Sequence, residues 1–245
     1  MRFSIASIVL ACAAFLIAPS APAETGYDAW LRYAPIRDTA VRARYDALPA
    51  TVVALGDTAI IASGRDELIR GVRGMLGRTL RIEPKLPAES AIVIGTAADI
   101  AAAVPALALK GALAEDGFHL YSRTANGRRH IVIAGANDRG ALYGAFALLR
   151  RIALHQAIEP LDVREEPYAP IRWVNHWDNL DGSIERGYGG PSIFFENDNV
   201  REDLSRVRDY GRLLASLGIN ACSINNVNAN TRAIATEFLP QVARI

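Results

Sequence analysis

The sequence predicts an α/β protein in two parts: a mixed α+β amino-terminal domain, then the first two β/α units of an incomplete (β/α)8 barrel. Three observations predict it. Apolar β-type runs alternate with helix-period segments over residues 51–154. Pro160, Pro167, Pro170 and the charged run Asp162–Glu166 then interrupt that pattern. After them the order is strand, loop, helix, strand, loop, helix, which is how a parallel array begins.

The elements follow in order. Met1–Ala23 reads as a cleavable secretory signal peptide: Arg2 is its only charge, Phe3–Ala18 is apolar, and Ala21 and Ala23 form an A-x-A site before Glu24. The apolar run is shorter than the ~20 residues of a spanning helix, so export is expected rather than anchoring. Thr51–Ala62 is β-like, with Gly56-Asp57 placed for a tight turn. Arg65–Arg78 has helix spacing, with Leu68, Ile69, Val72, Met75 and Leu76 on one face. Ala91–Gly95 is a short apolar strand, and Ala97–Leu109 is helical until Pro105 breaks or kinks it. Phe118–Arg123 and Arg129–Ala134 flank Asn126-Gly127, the strongest hairpin signal in the chain. Asp138–Leu154 is a long helix in which Gly140 and Gly144 allow close approach to a sheet.

Glu159–Pro170 reads as a linker, so the first domain spans 24–167 and the second 168–245. Ile171–Asn175 is strand-like and Trp177–Asn199 a long loop. Val200–Leu217 is a helix with Asn199 and Glu202 as a capping box, an inward face of Leu204, Val207, Gly211 and Leu214, and Gly218 at its end. Ile219–Ile224 is the next strand, Asn225–Asn230 a polar loop, and a helix starts at Thr231 with Pro240 placed to break it. A full barrel takes roughly 250 residues. Only Ile171–Ile245 remains, so the chain reads as the front portion of a larger protein.

Composition excludes several classes. With 27 basic and 26 acidic residues the net charge is +1, which gives no general attraction to nucleic acid or acidic membranes. Only Cys222 survives signal removal, so neither an internal disulfide nor a cysteine metal cluster is expected. Cys222 reads as a buried small hydrophobe, and Trp173, alternating with Asn175, as core. His176 has no second His or Cys at ligand spacing, so no metal is expected. Gly71, Gly74 and Gly77 lie inside a helix pattern, not after a strand, and no nucleotide or other cofactor is expected.

Chemistry concentrates in Arg172–Gly190. That run gathers aromatic, acidic, amide and basic groups at the carboxyl end of a strand, where parallel α/β folds carry their sites. Indole faces with Asp, Asn, Glu and Arg suit sugar, and Arg186 suits a carboxylate. Asn225, Asn226 and Asn228 add neutral donors and acceptors at the end of the next strand.

The segment Trp173-Val174-Asn175-His176-Trp177-Asp178-Asn179-Leu180-Asp181-Gly182-Ser183-Ile184-Glu185-Arg186-Gly187-Tyr188-Gly189-Gly190 closely resembles the opening of the catalytic barrel in the alpha-glucuronidases of glycoside hydrolase family 67. Gly135–Arg150 resembles the last helix of the non-catalytic domain before that barrel, a run that hexosaminidase-type enzymes share. The resemblance implies inverting hydrolysis of the bond between (4-O-methyl-)glucuronic acid and a xylose of a xylooligosaccharide. It places the catalytic acid and base on later barrel strands, so none is assigned up to Ile245. It makes Trp177, Asp178, Asn179, Glu185 and Arg186 the candidates for substrate contact. The implied partners are xylan-derived aldouronic oligosaccharides and, through later domains, a second copy of the protein. With the signal peptide, the setting is periplasmic or secreted.

Two other readings stand beside it. One is a stand-alone carbohydrate-binding module using residues 24–167, although that domain shows no aromatic cluster. The other is a hexosaminidase-type hydrolase, against which the His176–Gly182 run speaks. The export reading has a direct check: after secretion, mass spectrometry should find Glu24 as the first residue, and an exported chain retaining Met1–Ala23 would refute it.

Overall fold

The structure is a computed structural model describing residues 26, 27, 29–225 and 230–245. The expected signal peptide lies outside the described residues. Two units divide the chain, Met1–Trp30 and Leu31–Ile245. In the first, the rings of Tyr27 and Trp30 meet edge-on with centroids 5.3 Å apart. The regular elements of the described residues all lie in the second.

These elements are α1 (Thr39–Ala43), β1 (Thr51–Leu55), α2 (Ala59–Leu76), β2 (Arg81–Glu83), β3 (Ile92–Thr96), α3 (Ala97–Ala103), β4 (Phe118–Ala125), β5 (Arg128–Gly135), α4 (Asp138–Ala153) and β6 (Asp162–Glu165). They continue as β7 (Trp173–Asn175), β8 (Phe195–Glu196), β9 (Asn199–Val200), α5 (Ser205–Ser216), β10 (Ala221–Ser223) and α6 (Leu239–Val242). The mixed α/β class is as expected.

A six-stranded sheet runs β2-β1-β3-β5-β4-β6. Its first four strands are parallel, and β4 is antiparallel to both β5 and β6. Strand alternation sorts its side chains onto two faces. Ile92, Ile94, Leu120, Ile131 and Ile133 pack with α2 and α4, while Val93, Tyr121, Val132 and Ala134 pack with Ile100 of α3 and Leu107. The expected closeness of α4 to the sheet is real. A Cβ at Gly144 would stand 2.5 Å from Ile133, and one at Gly140 would stand 2.2 Å from the Gly117 carbonyl. The hairpin turns at Asn126-Gly127, both with positive φ, and the chain after α3 tightens into a 3-10 turn at Pro105.

Several boundaries differ from expectation, each for a local reason. β1 ends at Leu55 because the Thr58 hydroxyl accepts from Ile61 N–H at 3.3 Å and caps α2, which makes Ile60, Ile61 and Ala62 helical. The expected linker contributes β6, paired with β4 from Tyr121↔Asp162 to Phe118↔Glu165. As an edge strand it packs mainly Val163 onto the core, so its charged composition imitated a linker. Helix α5 begins at Ser205, not Val200. Val200 instead pairs with Phe195, and Asp203 rather than Asn199 accepts from Ser205 N–H at 2.8 Å. Gly211 is exposed, and the buried position of α5 is Val207. Pro240 opens α6 instead of breaking a helix, since a first-turn N–H needs no partner.

β7 and β10 form a separate parallel pair, with Trp173↔Ala221, Val174↔Cys222 and Asn175↔Ser223 in register and α5 between them in sequence. Among the described residues this sheet has two strands. Trp173 is therefore 61% exposed and Cys222 is also exposed, contrary to the expectation that both are core.

Two buried carboxylates join the β7–α5–β10 unit to the larger sheet and its helices. Asp116 accepts from Asn137 Nδ2 (2.9 Å), Arg139 Nε (2.8 Å), Arg172 Nη2 (2.9 Å) and Asn220 Nδ2 (3.0 Å). Glu67 of α2 takes both ends of the Arg212 guanidinium from α5 at 2.8 Å each and the Tyr33 hydroxyl at 2.6 Å.

Burial opposes the charge on Asp116, but its four donors outweigh it and hold the carboxyl down at about 2. A folded value below the unfolded one adds stability that is complete above the unfolded value and disappears as pH falls through the folded one. For Asp116 that is about 2 kcal/mol, present above pH 3.8 and lost towards pH 2. Denaturant titration of Asp116→Asn should show about that deficit at pH 7, shrinking as the pH drops through this window. A deficit independent of pH would refute the account.

Candidate functional site

The strand pair ends at Asn175 and Ser223, and the Ser223 hydroxyl donates to Asn175 Oδ1. Beyond them the chain builds a loop from Trp177 to Pro191, closed on itself. Glu185 N–H donates to the Trp177 carbonyl at 2.7 Å, and Asn179 N–H to the Ser183 carbonyl at 2.9 Å. The Asn179 amide donates to Ser183 Oγ (2.9 Å) and the Glu185 carbonyl (2.7 Å). Asp181 accepts the N–H and hydroxyl of Ser183, which holds its carboxyl below the usual range. Leu180, Phe194, Phe195, Val200, Val207 and Phe238 form a small core beneath the loop.

The expected site residues separate by exposure. Trp177, at 40% exposure, and Glu185 and Arg186 are exposed. Glu185 has a φ of 52°, a left-handed conformation that costs a non-glycine residue on the order of 1 kcal/mol. Asn179 is half-buried and committed to the loop's internal bonds. Asp178 is 1% exposed. Burial raises its carboxyl above the usual range, opposed by the Ser192 hydroxyl and by His176. Asn225 is half-buried at the end of β10, beside a cavity of about 360 Å³ lined also by Phe195, Ile224, Asn230, Thr231 and Ile234. Asn226 and Asn228 lie outside the described residues.

Three participants escaped the sequence reading. Ser192 donates to Asp178 Oδ1 while its oxygen accepts from the N–H groups of Phe194 (3.0 Å) and Phe195 (3.1 Å). Tyr210 meets His176 Nε2 at 2.8 Å. Ser223 is the third. A signal existed for Tyr210, which stands three residues after Val207 and so shares the inward face of α5. For Ser192, the signal was a hydroxyl two residues before a buried Phe-Phe pair.

A larger apolar cavity, about 640 Å³, lies away from the strand ends, against Tyr33, Ile36, Met75, Phe146, Leu149 and Leu217. Among the described residues no three His, Cys, Asp or Glu side chains gather as metal ligands, and no helix is long and apolar enough to cross a membrane.

Fold and site together define an α/β protein with polar and aromatic groups gathered at the ends of a parallel strand pair. Residues 29–148 match the glycosyl hydrolase family 67 N-terminus and residues 151–245 the glycosyl hydrolase family 67 middle domain. The chain belongs to glycosyl hydrolase family 67. It is 41% identical over 243 residues to alpha-glucuronidase A of Emericella nidulans, covering 94% of this chain and 28% of that protein. It is 42% identical over 235 residues to an alpha-glucuronidase of Hypocrea jecorina, covering 91% and 27% respectively. The chain thus spans a little over a quarter of the length of these relatives. Among solved structures, a family GH115 4-O-methyl-alpha-glucuronidase with specificity for decorated arabinogalactans overlaps 70% of this chain and 25% of that one, with 16% identity and a TM-score of 0.49.

Exposure separates groups that hold the loop from groups that face solvent. Arg186→Ala should leave stability within about 0.5 kcal/mol of wild type. Asn179→Ala, which strands two acceptors, should cost about 1–2 kcal/mol in chemical denaturation. Equal effects from the two substitutions would contradict this division.

Proposed function

We propose that the protein serves as an alpha-glucuronidase, releasing (4-O-methyl-)glucuronic acid from xylan-derived aldouronic oligosaccharides. The observation that carries this reading is the succession of two family 67 domains along the chain, with relatives named alpha-glucuronidase matching more than nine-tenths of it. The β7–α5–β10 unit is the start of a (β/α)8 barrel, a reading supported by its parallel pairing and its helical crossover.

In this reading the strand ends form the floor of the sugar site. Trp177 offers an apolar indole face to a pyranose ring. Arg186, which is exposed, takes the uronate carboxylate through two parallel N–H bonds. Glu185 and Asn225 accept and donate to ring hydroxyls. Hydrolysis proceeds with inversion, using an acid and a base about 6.5–9.5 Å apart with water between them. Neither is assigned to residues 1–245. Export by the Met1–Ala23 signal places the protein where oligosaccharides arrive, in the periplasm or outside the cell, and association with a second copy uses later domains.

The test is release of 4-O-methylglucuronic acid from aldotetraouronic acid by the protein expressed from its complete gene. Proton NMR should show the β-anomer first. No release of uronic acid would overturn the reading, and the α-anomer first would overturn inversion. The 245-residue chain should release none; turnover by it would overturn the placement of both catalytic carboxylates outside it.

A further inference from the structure

We propose that Asp178 is a positioning residue: through Ser192 on one side and His176 on the other it fixes the loop that presents Trp177, Glu185 and Arg186, and it makes no contact with sugar. The inference rests on the glucuronidase reading only for the identity of the ligand.

The geometry carries it. Asp178 is the second residue of the loop and Ser192 follows its last, and the Ser192 hydroxyl donates to Asp178 Oδ1. That hydroxyl oxygen also collects the N–H groups of Phe194 and Phe195 at 3.0 and 3.1 Å. One carboxylate therefore gathers both feet of the loop onto the Phe194–Phe195 core. Among the described residues the other oxygen, Oδ2, is buried without a hydrogen-bond partner. It stands 3.6 Å from His176 Nδ1, in contact but too far for a hydrogen bond.

The imidazole is itself fixed. It stands edge-on to Phe194 and Tyr210, with centroids 5.2 Å from each, and its Nε2 meets the Tyr210 hydroxyl at 2.8 Å. That one hydrogen bond fixes the ring against α5. A continuous chain results: Tyr210 of α5, His176 at the end of β7, Asp178 at the loop's start, Ser192 at its finish. Every member ties the loop to a rigid element. Both oxygens of Asp178 face inward, whereas Trp177, Glu185 and Arg186 stand exposed. At 1% exposure Asp178 offers almost no surface to a sugar.

The test compares Asp178→Ala, Asp178→Asn, Tyr210→Phe and the Asp178→Ala/Tyr210→Phe double variant. In the protein expressed from its complete gene, with aldotetraouronic acid, Asp178→Ala should raise KM about tenfold with kcat within about twofold. Asp178→Asn should restore most of the loss, because its amide oxygen still accepts from Ser192; a catalytic carboxylate would be lost in both variants. Tyr210→Phe should raise KM, and the double variant should be no worse than Asp178→Ala, since the two act along one chain. Collapse of kcat in both Asp178 variants, multiplied KM effects in the double variant, or unchanged KM throughout would overturn the inference.

Hydrogen exchange in the 245-residue chain gives a readout free of activity. Amides 177–192 should exchange faster in Asp178→Ala and Tyr210→Phe but not in Arg186→Ala. If wild type fails to turn over the sugar, the glucuronidase reading falls, while unchanged exchange overturns the positioning role alone.

Discussion

An antiparallel hairpin has its register set by its turn, but a parallel pair has no such device and must be aligned by something outside itself. In this protein the aligning group is the Asp116 carboxylate. Arg172 stands immediately before β7 and Asn220 immediately before β10, and both donate to Asp116 Oδ2. The Asn220 side-chain oxygen accepts from Arg172 N–H at 2.9 Å, and the Arg172 guanidinium donates on to the carbonyls of Gly218 and Ala169. The roots of the two strands are thus set against one charge. The remaining oxygen of Asp116 is taken by Asn137 and Arg139 at the start of α4, so the same charge fixes the pair to the six-stranded sheet. A buried carboxylate with four donors tolerates little displacement, because each lost partner leaves charge uncompensated in a poorly solvated place.

Glu67 repeats the arrangement on the helical side. Its bidentate pair with Arg212 anchors α5 to α2, and Asp209 takes another nitrogen of the same guanidinium at 2.7 Å. With the strand roots fixed by Asp116 and the crossover helix by Glu67, the opposite strand ends have one degree of freedom left, the path of the loop. The Tyr210–His176–Asp178–Ser192 chain removes it. Rigidity passes from the large sheet to the strand ends in three steps, each of them a buried carboxylate that gathers partners from other elements.

Much of the larger sheet was legible in the sequence because its signals are local. Asn126-Gly127 dictates its own turn, and the continuous apolar run Ile131–Ala134 needs no partner to be read. The misreadings share a cause: the deciding partner is distant or competes with propensity. β6 looks like a linker because an edge strand needs few apolar residues, and its pairing with β4 lies some forty positions back along the chain. Ile60 and Ile61 have strand propensity, yet the Thr58 cap commits them to α2. Trp173 alternates as a core residue does, but burial depends on what lies opposite, and alternation is silent about that. The site was legible as a segment and not as a set of roles. Residue type marks Asp178, Glu185 and Arg186 alike as polar; the Ser192 and Tyr210 contacts that separate them come from beyond the motif.

The three carboxylates of the motif make the point in physical terms. Asp181 bonds Ser183 two residues away, spends its charge on a turn, and is held below the usual carboxylate range by those bonds. Asp178 is buried and raised, with one oxygen satisfied by a distant serine. Glu185 is exposed, in a strained left-handed conformation held by its own N–H bond to Trp177. A turn former, an anchor and a presented group thus stand within eight residues. Strain of the Glu185 kind persists only where surrounding bonds over-determine the backbone. Here those bonds come from Trp177 and Asn179, and the position of that pair depends on Asp178. The exposed chemistry of the loop therefore rests on the least exposed of its acids.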